Sequence, residues 1–336
     1  MSLTLTQIEN KKLWEEFLLA HSPQALFQSW LWGEVEKKVG HTVYRYGLYE
    51  KEKLIGIAQV FVVRARRGTF LHVRQGPIFL RNSEEYWTEF VNLLMPLVRQ
   101  AGAWFIRVSP MIDQTNGNKE LLKTLHFTPA PIHEVDAERC WVLDISESEE
   151  NILMGMRKTT RYEVRRAQKM DVTVQKSVTS RDLTHFYHLY AETSKRHGFV
   201  AHLSIKEEFE IFAKEDKAIL FLGYSEKELV ASAIILFYGG QAIYHHGASL
   251  PSKAPVSYLI QWEAILEAKK RGIKLYNFYG IAPEDKPNHP WRGITLFKKG
   301  FGGREINYIH AQDYAVSPLY VIPKLIEATR RRLRGY

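Results

Sequence analysis

The same order of predicted strands and helix occurs twice in this 336-residue chain, and this duplication limits the folds open to it. Residues 46–63 (YGLYEKEKLIGIAQVFVV) and 222–237 (LGYSEKELVASAIILF) each predict a β-hairpin, in which a charged turn separates a short strand from a longer apolar one. A third strand follows in each half, at 69–78 and at 241–250. Matched elements in matched order indicate that one domain has been duplicated.

A helix and a further strand complete each repeat. The helices are predicted over 89–102 and 258–272, each ending on a glycine suited to a helix C-terminus, and the strands over 103–110 and 274–281. Pro96 lies inside the first helical pattern, where a proline normally disrupts a helix. An antiparallel start followed by a βαβ crossover predicts an α/β fold, with a mixed sheet and helices packed on it.

The charge and cysteine content narrow the possible partners and cell compartments. A net charge of +9 favours anionic partners such as nucleic acid, phosphorylated metabolites or a membrane surface, although it also fits a merely basic protein. The single cysteine, Cys140, excludes a disulfide framework or a thiolate metal site. Residues 1–17 lack the apolar stretch of a signal peptide, and no apolar run has the length of a membrane span. We therefore expect a cytoplasmic protein.

The element order resembles the GNAT acyltransferases. In that fold an acyl donor enters a wedge, the gap between two central strands that diverge. The coenzyme A signature of such enzymes, Gln/Arg-x-x-Gly-x-Gly/Ala, is missing from both halves, and the second half reads LPSKAPVSY at 250–258 instead. We therefore expect no cofactor. A coenzyme A enzyme remains a weaker alternative.

Two GNAT-like repeats, together with five sequence segments, resemble the Fem family of peptidoglycan bridge-forming aminoacyl transferases, which use aminoacyl-tRNA. The segments are FQSWLWGEVEKKVG (27–40), RKTTRYEVRRAQK (157–169), ETSKRHGF (192–199), AIYHHGAS (242–249) and HPWRGITLFKKGFGG (289–303). The paired-helix arm of some family members is absent from this sequence, which matches the compact form.

The resemblance implies an activity and a division of labour. The first GNAT-like domain, 1–143, would hold the precursor, with residues 310–336 packing back on it, and the second, 144–309, would form the aminoacyl-tRNA channel. The protein would transfer an amino acid to the stem-peptide amine of a nucleotide-linked (UDP-MurNAc-peptide) or lipid-linked precursor. We expect a monomer with, at most, transient membrane-surface contact. The amino acid transferred stays open.

The segment 297–303 carries the predicted catalytic residues. Phe297 and Lys298 match the family's Phe-Lys pair at the catalytic channel. Attack of an amine on an aminoacyl ester produces an oxyanion, which Lys298 would stabilise, while Phe297 would line the channel. If the segment is extended, Lys299 points the other way, towards tRNA phosphate or solvent. The alternative is a strand–turn junction with a solvated lysine pair.

Five further residues are candidates for substrate binding. The resemblance assigns precursor binding to Gln28, Ser29 and Lys37, and Ser29 also suits a helix N-cap. Arg196 would hold the diphosphate, or would merely stabilise the C-terminus of its helix. Tyr244, on the third strand of the second repeat, would contact substrate, or would be an ordinary buried tyrosine.

A basic stripe and one departure from the family complete the site predictions. Arg157, Arg161 and Arg165 recur every fourth residue along a predicted helix and would follow a tRNA backbone, or would form a solvated face. Where the family often has an acid before a proline, this chain has Ser109, which we retain as a substrate-binding candidate. Asp113, four residues on, is a possible substitute for that acid.

Other classes of function find little support. The histidine pairs 185/188 and 245/246 have no zinc-protease spacing and no cysteine partners, so we expect no metal site. Two alternatives to the peptidoglycan transferase stay open. One is a transferase with another acceptor, such as a protein or a lipid, and the other is an RNA-binding protein without activity.

Overall fold

The computed structural model describes residues 3–134 and 136–335, and the chain forms two compact units. The first unit comprises Met1–Glu138 and Asn307–Tyr336, and the second comprises Arg139–Ile306. The predicted boundaries after 143 and before 310 therefore move. Residue 143 lies within a strand of the second unit's sheet, and Asn307 to Ile309 belong to the first unit.

The strands and helices are numbered in chain order. The strands are β1 (Leu3–Gln7), β2 (Thr42–Glu50), β3 (Lys53–Ala65), β4 (Gly68–Val73), β5 (Ile78–Phe79), β6 (Phe105–Val108), β7 (Thr128–Pro129), β8 (Arg139–Asp144), β9 (Val172–Ser177), β10 (Ala218–Ser225), β11 (Glu228–Tyr238), β12 (Gln241–Ser249), β13 (Leu275–Gly280), β14 (Arg304–Asn307) and β15 (Gln312–Ala315). The helices are α1 (Lys11–His21), α2 (Trp30–Lys38), α3 (Glu84–Ala101), α4 (Asn116–Thr124), α5 (Glu149–Gly155), α6 (Lys158–Lys169), α7 (Leu183–His197), α8 (Ile205–Ala213), α9 (Val256–Lys270), α10 (Arg292–Gly300) and α11 (Val321–Leu333).

The first unit is built on a mixed sheet with strand order β1-β2-β3-β4-β6-β15-β7. The βαβ crossover makes β4 and β6 parallel, with α3 as the connecting helix. Helix α3 packs its apolar side, including Trp87, Phe90 and Leu94, against this sheet, and it continues through Pro96. The C-terminal strand β15 lies between β6 and β7, which anchors the end of the chain in the first unit.

The second unit repeats this arrangement in a sheet of order β14-β8-β13-β12-β11-β10-β9. Its parallel pair is β12 and β13, joined by α9. Alternate residues of β11, such as Ala233, Ile235 and Phe237, join the core formed with α6 and α9. Helices α7 and α8 also contact β10 to β12. Because side chains alternate along a strand, the sheet is covered by helices from two sides.

The segment 289–303 differs most from its sequence-based interpretation. The opposite directions predicted for Lys298 and Lys299 assume an extended segment, and the alternative was a strand–turn junction. Residues 297–300 form the last turn of helix α10 instead. Thr295 and Lys298 lie one helical turn apart and are both buried, and the Thr295 hydroxyl accepts a hydrogen bond from the Ala282 backbone N–H at 2.8 Å. These tertiary contacts outweigh the low helix propensity of the local glycines. In the described part of the chain, no helix is both long enough and apolar enough to cross a bilayer.

Candidate active site

A wedge opens in the second unit where its parallel strands separate. Strands β12 and β13 pair through Gln241–Ile243 and Leu275–Asn277, and their described pairing ends there. Beyond that point β13 has an irregular register against β8, and Tyr279 adopts a left-handed φ of 66°. A non-glycine residue in this conformation stores strain, which is concentrated at functional sites.

Lys298 reaches into this wedge from helix α10. Its side chain is buried, with a residue exposure of 7%, and its ammonium nitrogen donates to the Gly280 carbonyl oxygen at 2.5 Å. Burial lowers the pKa of Lys298 from 10.5 to about 7. A lysine with this pKa exists in both protonation states at neutral pH, so it can stabilise a developing oxyanion or exchange a proton.

Tyr244 lies on β12 beside the same lysine. The ammonium nitrogen of Lys298 is 5.8 Å from the centre of the Tyr244 ring, and burial raises the pKa of Tyr244 to about 12. Gly247 makes room for this ring, because a Cβ on Gly247 would overlap the Tyr244 hydroxyl. The structure therefore brings two of the predicted residues, Lys298 and Tyr244, together.

Phe297 packs among other aromatic rings of the second unit. The Phe297 ring lies 4.9 Å from Tyr258 and 5.3 Å from Phe301, measured between centroids. Phe297 is partly buried against the core formed with α6 and α9. Its direct contacts are therefore with packed aromatic side chains on the α9 side.

The first unit contains a separate, strongly charged cavity of about 370 Å³. Its lining includes Arg67, Arg107, Arg330, Arg331 and Arg334. The Arg107 guanidinium is buried and binds Asp313 and Glu327, so its charge is matched inside the protein. Arg330 and Arg331 lie in the last turns of α11 and Arg334 directly follows it, and together they give this cavity a basic side.

Ser109 lies beside that cavity in a buried polar cluster. Its hydroxyl donates to Asp136 at 2.5 Å and accepts from the Gln75 backbone N–H at 2.9 Å. Burial opposes ionisation of Asp136, but Arg74, 2.8 Å away, His72 and the Ser109 hydroxyl together outweigh it and lower the pKa of that carboxyl. A carboxylate therefore accompanies Ser109, and it comes from Asp136. The candidate Asp113 is exposed and forms a backbone bridge to Tyr308 instead.

Comparison with known proteins agrees with this architecture. The model of the FemAB family matches residues 10–126, 133–224 and 205–328, which together span most of the chain. The chain belongs to the FemAB family. This confirms the resemblance on which the site predictions were based.

Individual relatives of this FemAB-family chain are distant in sequence, but they align with it over nearly their whole length. It is 20% identical to "Lipid II:glycine glycyltransferase" of Staphylococcus aureus (strain bovine RF122 / ET3-1), over 95% of this chain and 94% of that protein. The crystal structure of FemX superposes with a TM-score of 0.81 at 18% identity, covering 97% of this chain and all of that one. A tandem GNAT protein from the clavulanic acid biosynthesis pathway has a TM-score of 0.58 at 9% identity, covering 94% and 99% of the two chains. The prediction of two tandem GNAT-like domains is confirmed.

Two residues assigned to precursor binding are structural in this FemAB-family chain. Gln28 is fully buried, and its side-chain amide donates to the Arg74 carbonyl oxygen at 2.6 Å and accepts from the Gln59 backbone N–H at 2.7 Å. Ser29 is also fully buried and caps α2 by accepting from the Trp32 backbone N–H. Both are therefore removed from the ligand candidates. Lys37 is exposed and pairs with Glu34 at 3.0 Å.

Of the four residues predicted to bind tRNA, two are exposed and two contact other groups of the protein. Arg157, directly before α6, and Arg165, within it, are both exposed. Arg161 donates to backbone carbonyls at the end of α5, including that of Met154 at 2.9 Å, and so stabilises the connection between the two helices. The ammonium of Lys299 lies 2.6 Å from Glu284, so its charge is matched internally. Neither Arg161 nor Lys299 is retained as a tRNA contact.

Arg196 lies in the last turn of α7, where the sequence places it. Its side chain is exposed and donates to the Ser249 carbonyl oxygen at the end of β12, at 2.7 Å. This bond ties α7 to the strand that carries Tyr244. The guanidinium therefore holds α7 against β12, and it is also exposed to solvent.

The sequence did not point to Asp136, which pairs with Ser109, or to Glu208, which contacts His245 and His246. Asp136 lies in a connection with no motif around it, and Glu208 lies in α8, one of several acidic residues there. His245 and His246 were noted, but their common orientation depends on a β-bulge in β12. A bulge has no reliable sequence signature, so only the structure reveals this arrangement.

Proposed function

We propose that this FemAB-family protein transfers an amino acid from aminoacyl-tRNA to the stem-peptide amine of a lipid-linked peptidoglycan precursor. The observation that carries the proposal is the buried Lys298, whose pKa is lowered to about 7 in the wedge of the second unit. The name of the Staphylococcus aureus relative, a lipid II:glycine glycyltransferase, supports the lipid-linked acceptor.

The reaction needs charge stabilisation more than it needs a protein nucleophile. The acceptor amine forms a C–N bond with the carbonyl carbon of the aminoacyl ester, and the tetrahedral intermediate carries an oxyanion. The ester C–O bond then breaks, and the departing ribose oxygen takes up the proton that the amine loses. In its ammonium form, Lys298 would stabilise the oxyanion from a site with little water, where a fixed charge has its largest effect.

The basic surface of the second unit supports a tRNA donor. Arg157 at the start of α6 and Arg165 within it are exposed, so both are available to the phosphates of a nucleic acid. Because such contacts release counterions, tRNA affinity should fall steeply with salt concentration. The terminal aminoacyl group would enter the wedge beside Lys298 and Tyr244.

The charged cavity of the first unit supports an anionic acceptor. Arg330 in α11 and Arg334 directly after it are exposed, while Arg107 and Arg74 pair with buried carboxylates. The α11 arginines are therefore the groups we assign to the precursor's diphosphate, because guanidinium binds phosphate bidentately. These arginines replace Arg196 as the proposed diphosphate contact, and Gln28 and Ser29 no longer belong to the proposed precursor site.

Product analysis tests the proposal. The protein is incubated with a mixture of charged tRNAs and, in separate reactions, with a lipid-linked precursor, a nucleotide-linked precursor, a peptide with a free N-terminus or an aminolipid. We expect the mass of the lipid-linked precursor to rise by one amino-acid residue. Modification of the peptide or aminolipid alone would favour another acceptor class. Tight tRNA binding without any product would favour an RNA-binding protein and contradict the proposal.

A further inference from the structure

A β-bulge in β12 turns two consecutive histidines towards the same carboxylate. In the pairing of β11 with β12, Ile234 lies opposite His246 and Ile235 lies opposite Tyr244, so His245 is the extra residue of the bulge. In a regular strand, neighbouring side chains point to opposite faces, and a bulge removes this alternation. As a result, the Nε2 atoms of His245 and His246 lie 3.1 Å and 2.8 Å from the same oxygen, Oε2 of Glu208.

The three side chains form a buried and supported group. The exposed fraction of the side chain is 6% for His245, 8% for His246 and 6% for Glu208. The other carboxylate oxygen of Glu208, Oε1, accepts a hydrogen bond from the Ser204 hydroxyl at 2.6 Å, which fixes the orientation of the carboxylate. Support of this kind, from outside the ligand set, is typical of protein metal sites.

The donor set matches a transition-metal ion. One donor atom from each of Glu208, His245 and His246 lies within 4.8 Å of the others. Zinc binds imidazole nitrogen and carboxylate oxygen at about 2.0–2.2 Å, so neighbouring donors of a tetrahedral ion lie about 3.3 Å apart. The two contacts of Glu208 Oε2 are shorter than this by only a few tenths of an ångström, so small side-chain movements would admit an ion.

We propose that Glu208, His245 and His246 form a binding site for a divalent transition-metal ion, of which Zn²⁺ is the best match. Two imidazoles and one carboxylate also form the ligand set of zinc sites that retain an exchangeable position for water or substrate. The site adjoins the wedge of the second unit, since the His245 ring lies 5.5 Å from the ring of Tyr279. This proposal revises the sequence-based expectation of no metal site and stands independently of the proposed transfer activity.

Metal binding by the full-length protein, without an affinity tag, tests the site. The protein is treated with a chelator, dialysed and titrated with Zn²⁺, and bound metal is counted by elemental analysis. Titration with Co²⁺ adds a visible absorption spectrum that reports coordination geometry. We expect one tightly bound ion per chain and a tetrahedral cobalt spectrum. Zinc binding that is substoichiometric, or saturates only at the weak affinity of exposed histidines, would overturn the proposal.

Matched variants locate the ion. Glu208→Gln and His246→Asn should each reduce affinity by more than the roughly 10–100-fold that loss of an outer supporting group costs. The control is the double variant of His185 and His188 to Asn, which removes two exposed histidines of α7 in the same unit. Its affinity should equal that of the wild type. Equal loss in the control, or full affinity in the two ligand variants, would contradict the assignment, and circular dichroism verifies that each variant is folded.

Discussion

Replacing Lys298 with methionine should stabilise the protein at neutral pH while removing its proposed catalytic charge. Burial lowers the pKa of Lys298 from 10.5 to about 7. Since a tenfold change in proton affinity corresponds to about 1.4 kcal/mol, the buried lysine costs the folded state about 5 kcal/mol at or below pH 7. Methionine removes this cost but leaves the Gly280 carbonyl without its donor, at about 1–3 kcal/mol. The net expectation is a gain of about 2–4 kcal/mol in the free energy of unfolding.

The pH dependence of stability distinguishes the cost of burying the Lys298 charge from a general packing effect. The pKa of Lys298 is lower in the folded than in the unfolded state, so the unfolded state binds more protons between about pH 7 and pH 10.5. Wild-type stability therefore gains about 1.4 kcal/mol per pH unit from this group in that window, and the full cost applies below it. Cys140 and Tyr244 stay protonated in the folded state throughout this window, because burial raises the pKa of each to about 12. Their ionisation in the unfolded state is the same in the wild type and in Lys298→Met, so it cancels in the difference between the two proteins.

Urea unfolding, followed by circular dichroism at pH 7 and pH 9, measures both effects. The advantage of Lys298→Met over the wild type should shrink by about 3 kcal/mol between these pH values. Lys270→Met, at an exposed position in α9, is the matched control and should stay within about 0.5 kcal/mol of the wild type. A variant that is less stable at pH 7, or a difference that does not change with pH, would refute the reasoning.

Two further variants test other parts of the account. In Gly247→Ala the new Cβ would lie 2.6 Å from Cζ of Tyr244, so the ring must move from its place beside Lys298. We therefore expect the kcat of amino-acid transfer to fall by roughly tenfold or more. Gly293→Ala, where a Cβ meets open space, is the control, and an unchanged kcat in Gly247→Ala would show that the position of Tyr244 is unimportant. Arg107→Met removes the guanidinium that two buried carboxylates share, so Asp313 loses this ion pair while Glu327 keeps its pair with Arg67. It should lower the free energy of unfolding by about 3–5 kcal/mol in urea titrations, whereas a loss below about 1 kcal/mol would contradict the importance of that ion cluster.

The fold was largely predictable because its signals are local and repeated. Both hairpins, the helix α9 and the N-cap at Ser29 are observed where the sequence indicates them. Each depends on a periodic apolar pattern or on a capping residue that acts over a few positions. Even Pro96 is accommodated within α3, because apolar packing on both sides of it stabilises the helix.

The site was less predictable because its geometry depends on tertiary contacts. The sequence singled out Lys298 but suggested an extended segment or a strand–turn junction around it, whereas the segment is helical and buries Thr295 and Lys298 on one face. Gln28 and Ser29 were assigned to ligand binding, yet polar side chains also serve as internal hydrogen-bonding groups, which only the packing reveals. Asp136 lies next to Ser109 through the fold, although 27 residues separate the two in the chain.

The rate of a single turnover tests the central claim most directly. Charged tRNA bound to excess protein is mixed with the acceptor identified by product analysis, and amide formation is followed by mass spectrometry in the wild type, Lys298→Met and Lys270→Met. We predict that Lys298→Met lowers the rate by about 100- to 1,000-fold, the usual effect of removing an oxyanion-stabilising group, while its affinity for tRNA and the rate of the Lys270 control are unchanged. A Lys298→Met rate within a few-fold of the wild type would contradict the account.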